Sequence, residues 1–116
     1  MVLPTVTALA PLKTEETETR LVMGKVAYMS PEQALGKPID RKTDIFSTGL
    51  MLYELLTGEK LFRGDTQFEV LKKIRTTRLT EKNFPDSISD PVKKILAKSL
   101  AYSVKDRYDT AGDMQI

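Results

Sequence analysis

The side chains here that could do chemistry are carboxylates, cations and hydroxyls, because the 116-residue chain has no Cys and no His. That removes thiol nucleophiles, imidazole acid–base catalysis, disulfides and the usual zinc sites in one step. A phosphate-cradling turn is missing too: glycines stand only at 24, 36, 49, 58, 64 and 112, so no G-x-G-x-x-G exists. The residue order suggests no nucleophile–base pair and no paired carboxylates in a cleft. Taken alone, Glu32 and Arg107 are two surface charges, Asp44 is a helix-start carboxylate, and the run Lys13 to Arg20 is a soluble Thr/Glu segment. The basic cluster Lys72, Lys73, Arg75, Arg78 and Lys82 reads as a solvated helix face.

The elements that must position these groups are mostly helices. Residues 1–23 carry Pro4 and Pro11 and no sustained period, which predicts a flexible N-terminal segment ahead of a domain over 24–116. A short helix follows Pro31 through Glu32, Gln33 and Ala34 and stops before Gly36 and Pro38. The strongest helix spans 43–57, with Thr43 as its cap, Asp44 at the positive end of the dipole and Gly58 just past its end. Ile45, Phe46, Leu50, Met51, Leu52, Leu55 and Leu56 wrap most of its circumference, which predicts burial on every side. So short a chain hardly suffices to surround it. Thr66 and Glu69 form a capping box opening a helix with Phe68, Leu71 and Ile74 inward. Ser89-Asp90-Pro91 starts another, with Val92, Ile95, Leu96, Ser99 and Leu100 on one face. Phe84-Pro85-Asp86-Ser87 is a turn, and Asp109-Thr110 begins a last helix that stops as a stub. Strand signals are weak everywhere.

Composition sets outer bounds. The chain is 41% hydrophobic and 29% charged, ordinary for a globular domain. A net charge of +2 is too balanced to argue for nucleic acid. The longest apolar run is broken by Ser47, Thr48, Gly49 and Glu54, so no membrane segment is expected. The N-terminus lacks a basic n-region, so a signal peptide is not expected, and the absence of Cys fits a cytoplasmic protein.

Two stretches carry a resemblance: Gly24-Lys-Val-Ala-Tyr-Met-Ser-Pro-Glu-Gln33, and Asp44-Ile-Phe-Ser-Thr-Gly-Leu-Met-Leu-Tyr-Glu-Leu-Leu-Thr-Gly58. From about Thr14 to Met114 the chain resembles the second half of a serine/threonine protein kinase domain, most closely the bacterial eukaryotic-like type. The fold this implies is mainly α, a partial kinase C-lobe with an activation-segment loop and about four helices. Ser30-Pro31-Glu32 occupies the place of the Ala-Pro-Glu motif. The resemblance implies that Glu32 pairs with Arg107, that Asp44 is the buried aspartate holding the catalytic loop, and that Gly24, Lys25, Val26 and Tyr28 belong to the loop receiving the substrate residue after the phosphoacceptor. It also makes Thr14, Thr17 and Thr19 candidate phosphoacceptors, where phosphate would add about −1.5 to −2 charge.

The family transfers the γ-phosphate of ATP, with Mg²⁺, to protein Ser or Thr hydroxyls. Its glycine-rich loop, strand Lys, catalytic Asp and metal-binding Asp lie upstream of the matched stretch, and only 23 residues precede Gly24. The first Asp is Asp40, and the only Asn, Asn83, lies downstream. Lys25 stands where serine/threonine kinases usually have Thr. The expectation is therefore a truncated kinase-like chain, inactive alone, with no catalytic residue, no metal ligand and no cofactor of its own. One competing reading is a non-catalytic module that docks kinases or their substrates; another is the remnant of a disrupted kinase gene. With its long helix short of neighbours, the chain is expected to be a marginal or molten monomer, or to self-associate through exposed Leu and Met.

Overall fold

The computed structural model describes residues 26–114. Among the described residues four α-helices follow one another: α1 Pro31–Ala34, α2 Arg41–Thr57, α3 Gln67–Thr76 and α4 Asp90–Ser99, with 3₁₀ turns at Glu81–Asn83, Val104–Asp106 and Ala111–Asp113. There is no strand among the described residues.

Side chains cap the first three helices, where backbone N–H groups lack partners, whereas α4 starts at Ser89 with no side-chain cap and has Pro91 in its first turn. Ser30 caps α1 in a capping box: its Oγ accepts from the Gln33 N–H at 3.3 Å, and the Gln33 Oε1 accepts from the Ser30 N–H at 2.9 Å. The cap of α2 is Asp40 rather than Thr43. Asp40 accepts from the Lys42 N–H at 2.8 Å, and Thr43 becomes the third helical residue. The apolar period begins only at Ile45, so it hides the two charged residues that already have helical geometry. Gly58 ends α2 at φ 75°, a left-handed angle that favours glycine. In α3 Thr66 accepts from the Glu69 N–H at 3.2 Å, but the returning Glu69 carboxylate takes the Asp65 N–H at 2.8 Å rather than that of Thr66. At the chain's end Thr110 and Asp113 form a capping box around one 3₁₀ turn.

The core gathers Val26, Phe46, Leu50, Phe62, Ile74, Phe84, Leu96 and Leu100 around α2 and α4. These two helices cross closely because Gly49 has no side chain. A Cβ there would stand 2.9 Å from Leu100 Cδ2 and 3.0 Å from Ser99 Cβ.

Two expectations about burial are corrected. In α2, Ile45, Phe46, Gly49 and Leu50 are buried, but Leu55 is 83% and Leu56 47% exposed, because α4 covers only part of the helix. In α3 the buried residues are Val70 and Ile74; Leu71 is half-buried and Phe68 is 69% exposed. Two helical residues are about 200° of rotation, so with Val70 facing the core Phe68 points away from it. The basic cluster is exposed, as read, yet several members stitch the surface together. Arg75 donates to the Ala34 carbonyl at 2.9 Å, Lys73 donates to the Arg63 carbonyl, and the Arg78 guanidinium lies 4.1 Å from the Tyr102 ring centroid.

Candidate functional site

Glu32 enters from the first turn of α1, Thr43 and Lys42 from the first turn of α2, and Arg107 from the segment after α4. They meet in a buried knot. Arg107 Nη1 donates to Glu32 Oε2 at 2.6 Å and Nη2 to Oε1 at 2.8 Å, a bidentate pair between residues only 3% and 6% exposed. The other Arg107 N–H groups reach the carbonyls of Ala101 at 2.8 Å, Lys42 at 3.1 Å and Tyr102 at 3.1 Å. Every donor of the guanidinium is thus used. Its plane also packs on Phe46, 4.8 Å from the ring centroid. The Thr43 hydroxyl donates to Glu32 Oε2 at 2.8 Å.

This environment decides the charge of Glu32. Burial, the largest single influence, pushes its carboxyl up, but the Arg107 hydrogen bonds, a backbone N–H, the Thr43 hydroxyl and the Arg107 charge together outweigh it and hold it at about 2. Buried ion pairs are often neutral for stability when replaced whole, and costly when one partner is lost.

A second knot holds the preceding loop. Tyr28 Oη donates to the Glu54 carboxylate, 2.8 Å from both oxygens, and Ser47 Oγ donates to the Tyr28 carbonyl at 2.9 Å. Burial first, then the Glu54 hydrogen bond and charge, push the Tyr28 phenol up to about 12. Val26 is buried in the core beside it. The Lys60 ammonium lies 5.8 Å from the Tyr28 ring centroid.

Of the residues singled out in the sequence, Glu32 and Arg107 are brought together, with Val26 and Tyr28 close by. Asp44 is not joined to them: it is exposed in the first turn of α2. Gly24, Lys25 and the candidate phosphoacceptors Thr14, Thr17 and Thr19 lie outside the described residues. Sequence reasoning missed Thr43 as a partner of Glu32, and Ser47 and Glu54 as partners of Tyr28. The available signal was their i, i+4, i+11 spacing, a polar line on an otherwise apolar helix.

Comparison with known proteins agrees with this architecture. The family model described as "Protein kinase domain" matches residues 9–115. The chain is 37% identical over 103 residues to the serine/threonine-protein kinase PknB of Mycobacterium leprae, covering 88% of this chain and 17% of that protein. It is 38% identical over 100 residues to the serine/threonine-protein kinase PrkC of Bacillus subtilis, covering 85% and 15%. The twitchin kinase region from C. elegans superposes with a TM-score of 0.64 at 30% identity, covering 74% of this chain and 15% of the other. The chain thus spans about a sixth of the length of these curated relatives. With helices, buried ion pair and sequence matches in agreement, the chain belongs to the protein kinase domain family and represents part of its helical C-lobe.

Proposed function

We propose that this chain is the substrate-side scaffold of a protein serine/threonine kinase domain, and that its 116 residues by themselves do not transfer phosphate. The observation that carries this reading is the commitment of its buried carboxylate to architecture. Glu32 is consumed by Arg107 and Thr43, and the half-buried Glu54 is likewise taken by Tyr28. In the family reading Glu32 anchors the end of the activation segment, Gly24 to Tyr28 form the loop beside the phosphoacceptor, and Thr14, Thr17 and Thr19 are sites of regulatory phosphate.

The residues present do not fit Mg·ATP. The sequence has no glycine-rich phosphate loop, and among the described residues no group of three carboxylates could hold a metal ion. Phosphoryl transfer depends almost wholly on positioning and charge stabilisation, so a chain that cannot hold the nucleotide has little left to contribute. Lys25 adds to this, since a long cation cannot replace the short hydroxyl bridge of a Thr at that place. Incubation with Mg·ATP and a generic protein substrate should give no phosphoprotein above a buffer blank. Turnover that disappears in Glu32→Gln would overturn the proposal.

A second reading, a docking module for kinases or their substrates, is favoured by Phe68, which stands 69% exposed at the start of α3. It predicts co-purification with a full-length kinase that is lost in Phe68→Ala.

A further inference from the structure

A helix is negative at its C-terminal end, and cations in the last turn offset that charge. Two helices here follow the pattern: α3 has Lys73 and Arg75 in its last turn, and α4 has Lys98. The longest helix does not. α2 runs for 17 residues with no basic residue in its last turn. Gly58 returns one N–H to the Glu54 carbonyl at 2.7 Å, and among the described residues no later backbone N–H turns back to the helix carbonyls. The Glu59 N–H goes to the Thr57 hydroxyl instead, at 3.2 Å.

An open groove of about 590 Å³ lies at this end of α2. Its apolar wall is Tyr53, Leu56, Phe84 and Pro85, drawn from the end of α2 and the turn before α4. The Tyr53 and Phe84 rings stand 6.0 Å apart between centroids, tilted by 49°. Phe84 is fixed in the core while Leu56 is exposed, so the floor is rigid and the rim open. Glu59 is the one charged residue among those lining it. Its carboxylate meets Arg63 only at 3.7 Å, with both side chains mostly exposed, a pairing worth little in water. Lys60, the next residue, lies over the Tyr28 ring.

The groove thus joins aromatic and apolar walls to an uncompensated negative helix end and a loosely held carboxylate. That combination disfavours an anion, and a purely apolar occupant would leave the negative charge unanswered. It matches a planar cation on an apolar stem. A guanidinium stacks on aromatic rings, sheds water more readily than an ammonium, and offers parallel N–H groups to a carboxylate. We propose that the groove at the end of α2 is a docking site for an arginine side chain of a partner polypeptide, with the guanidinium against Tyr53 and Phe84 and paired with Glu59. The site uses neither Tyr28 nor Phe68, so it does not rest on the function proposed above.

The test titrates the 116-residue chain with the blocked peptide acetyl-Ala-Arg-Ala-amide, followed by the amide chemical shifts of Tyr53, Glu59, Asn83 and Ser87. The same peptide with citrulline keeps the shape and loses the charge. One ring contact and one exposed ion pair predict a Kd on the order of millimolar, with citrulline about tenfold weaker. Glu59→Gln should weaken binding about threefold. Glu81→Gln, which removes an exposed carboxylate from the neighbouring 3₁₀ turn, should leave it unchanged. Equal responses to the arginine and citrulline peptides would overturn the proposal, as would an equal loss in Glu81→Gln. Tighter binding of free arginine than of the blocked peptide would mark a small-molecule site, and self-association weakened by Glu59→Gln would give the groove to a second copy. Either result contradicts docking of a partner polypeptide. No readout depends on nucleotide or phosphotransfer, so this proposal and the proposed function fail separately.

Discussion

Arg107 is the residue on which most of the knot depends, because it serves Glu32 and three backbone carbonyls at once. Arg107→Ala leaves the Glu32 carboxylate buried with only Thr43 and backbone support. The cost should be about 3–5 kcal/mol, enough to abolish a cooperative thermal transition read by circular dichroism. Arg107→Lys should recover little, since an ammonium cannot supply two parallel N–H groups. The pH dependence follows from Glu32. Its folded-state pKa lies below the unfolded value of 4.5, so the folded state favours the charged form. Its contribution is fully present above about 4.5 and is lost as pH falls towards about 2. That difference amounts to roughly 3 kcal/mol. Urea unfolding at pH 6, 4 and 3 should show a steep loss of stability in the parent chain. Glu32→Gln should be weaker at pH 6 and show a flatter slope; parallel slopes would show that Glu32 is not the titrating group.

At the scale of elements, the α2–α4 crossing depends on Gly49. Gly49→Ala places a methyl against Leu100 and the Ser99 Cβ, and overpacking of this kind costs about 1–3 kcal/mol despite the better helix propensity of Ala. A midpoint of chemical unfolding equal to or above the parent's would show that the helices separate without cost. Asp40→Ala should cost about 1 kcal/mol through the lost cap. The four helices were legible because start and stop residues and apolar periods are local signals: Pro31, Thr66, Ser89-Asp90-Pro91 and Gly58 stand next to what they start or terminate. Asp40 was overlooked because the charged pair Arg41 and Lys42 breaks the apolar pattern without breaking the helix. Phe68 was misplaced because α3 is short enough for two faces to look apolar, and only the tertiary position of Val70 and Ile74 decides between them. The Glu32–Arg107 pair was readable from family spacing. Its completion by Thr43 and the contacts of Tyr28 were not, since the polar spacing of Thr43, Ser47 and Glu54 marks one face of α2 but does not say which distant segment that face meets.

At the scale of the molecule, Leu55, Leu56 and Phe68 leave apolar area in water, and exposed apolar surface of this kind favours association. Sedimentation should show a concentration-dependent rise in mass that Leu55→Gln with Leu56→Gln suppresses; a monomer at all concentrations would contradict it. Among the described residues no helix is long and apolar enough to cross a membrane. We propose that this chain carries the architecture of a kinase's substrate side without a nucleotide site. Titration of the chain with Mg·ATP, followed by amide chemical shifts, tests it most directly. The account predicts no saturable shift change up to millimolar nucleotide, weaker than about −4 kcal/mol of binding free energy. Saturable changes with a micromolar Kd would contradict it.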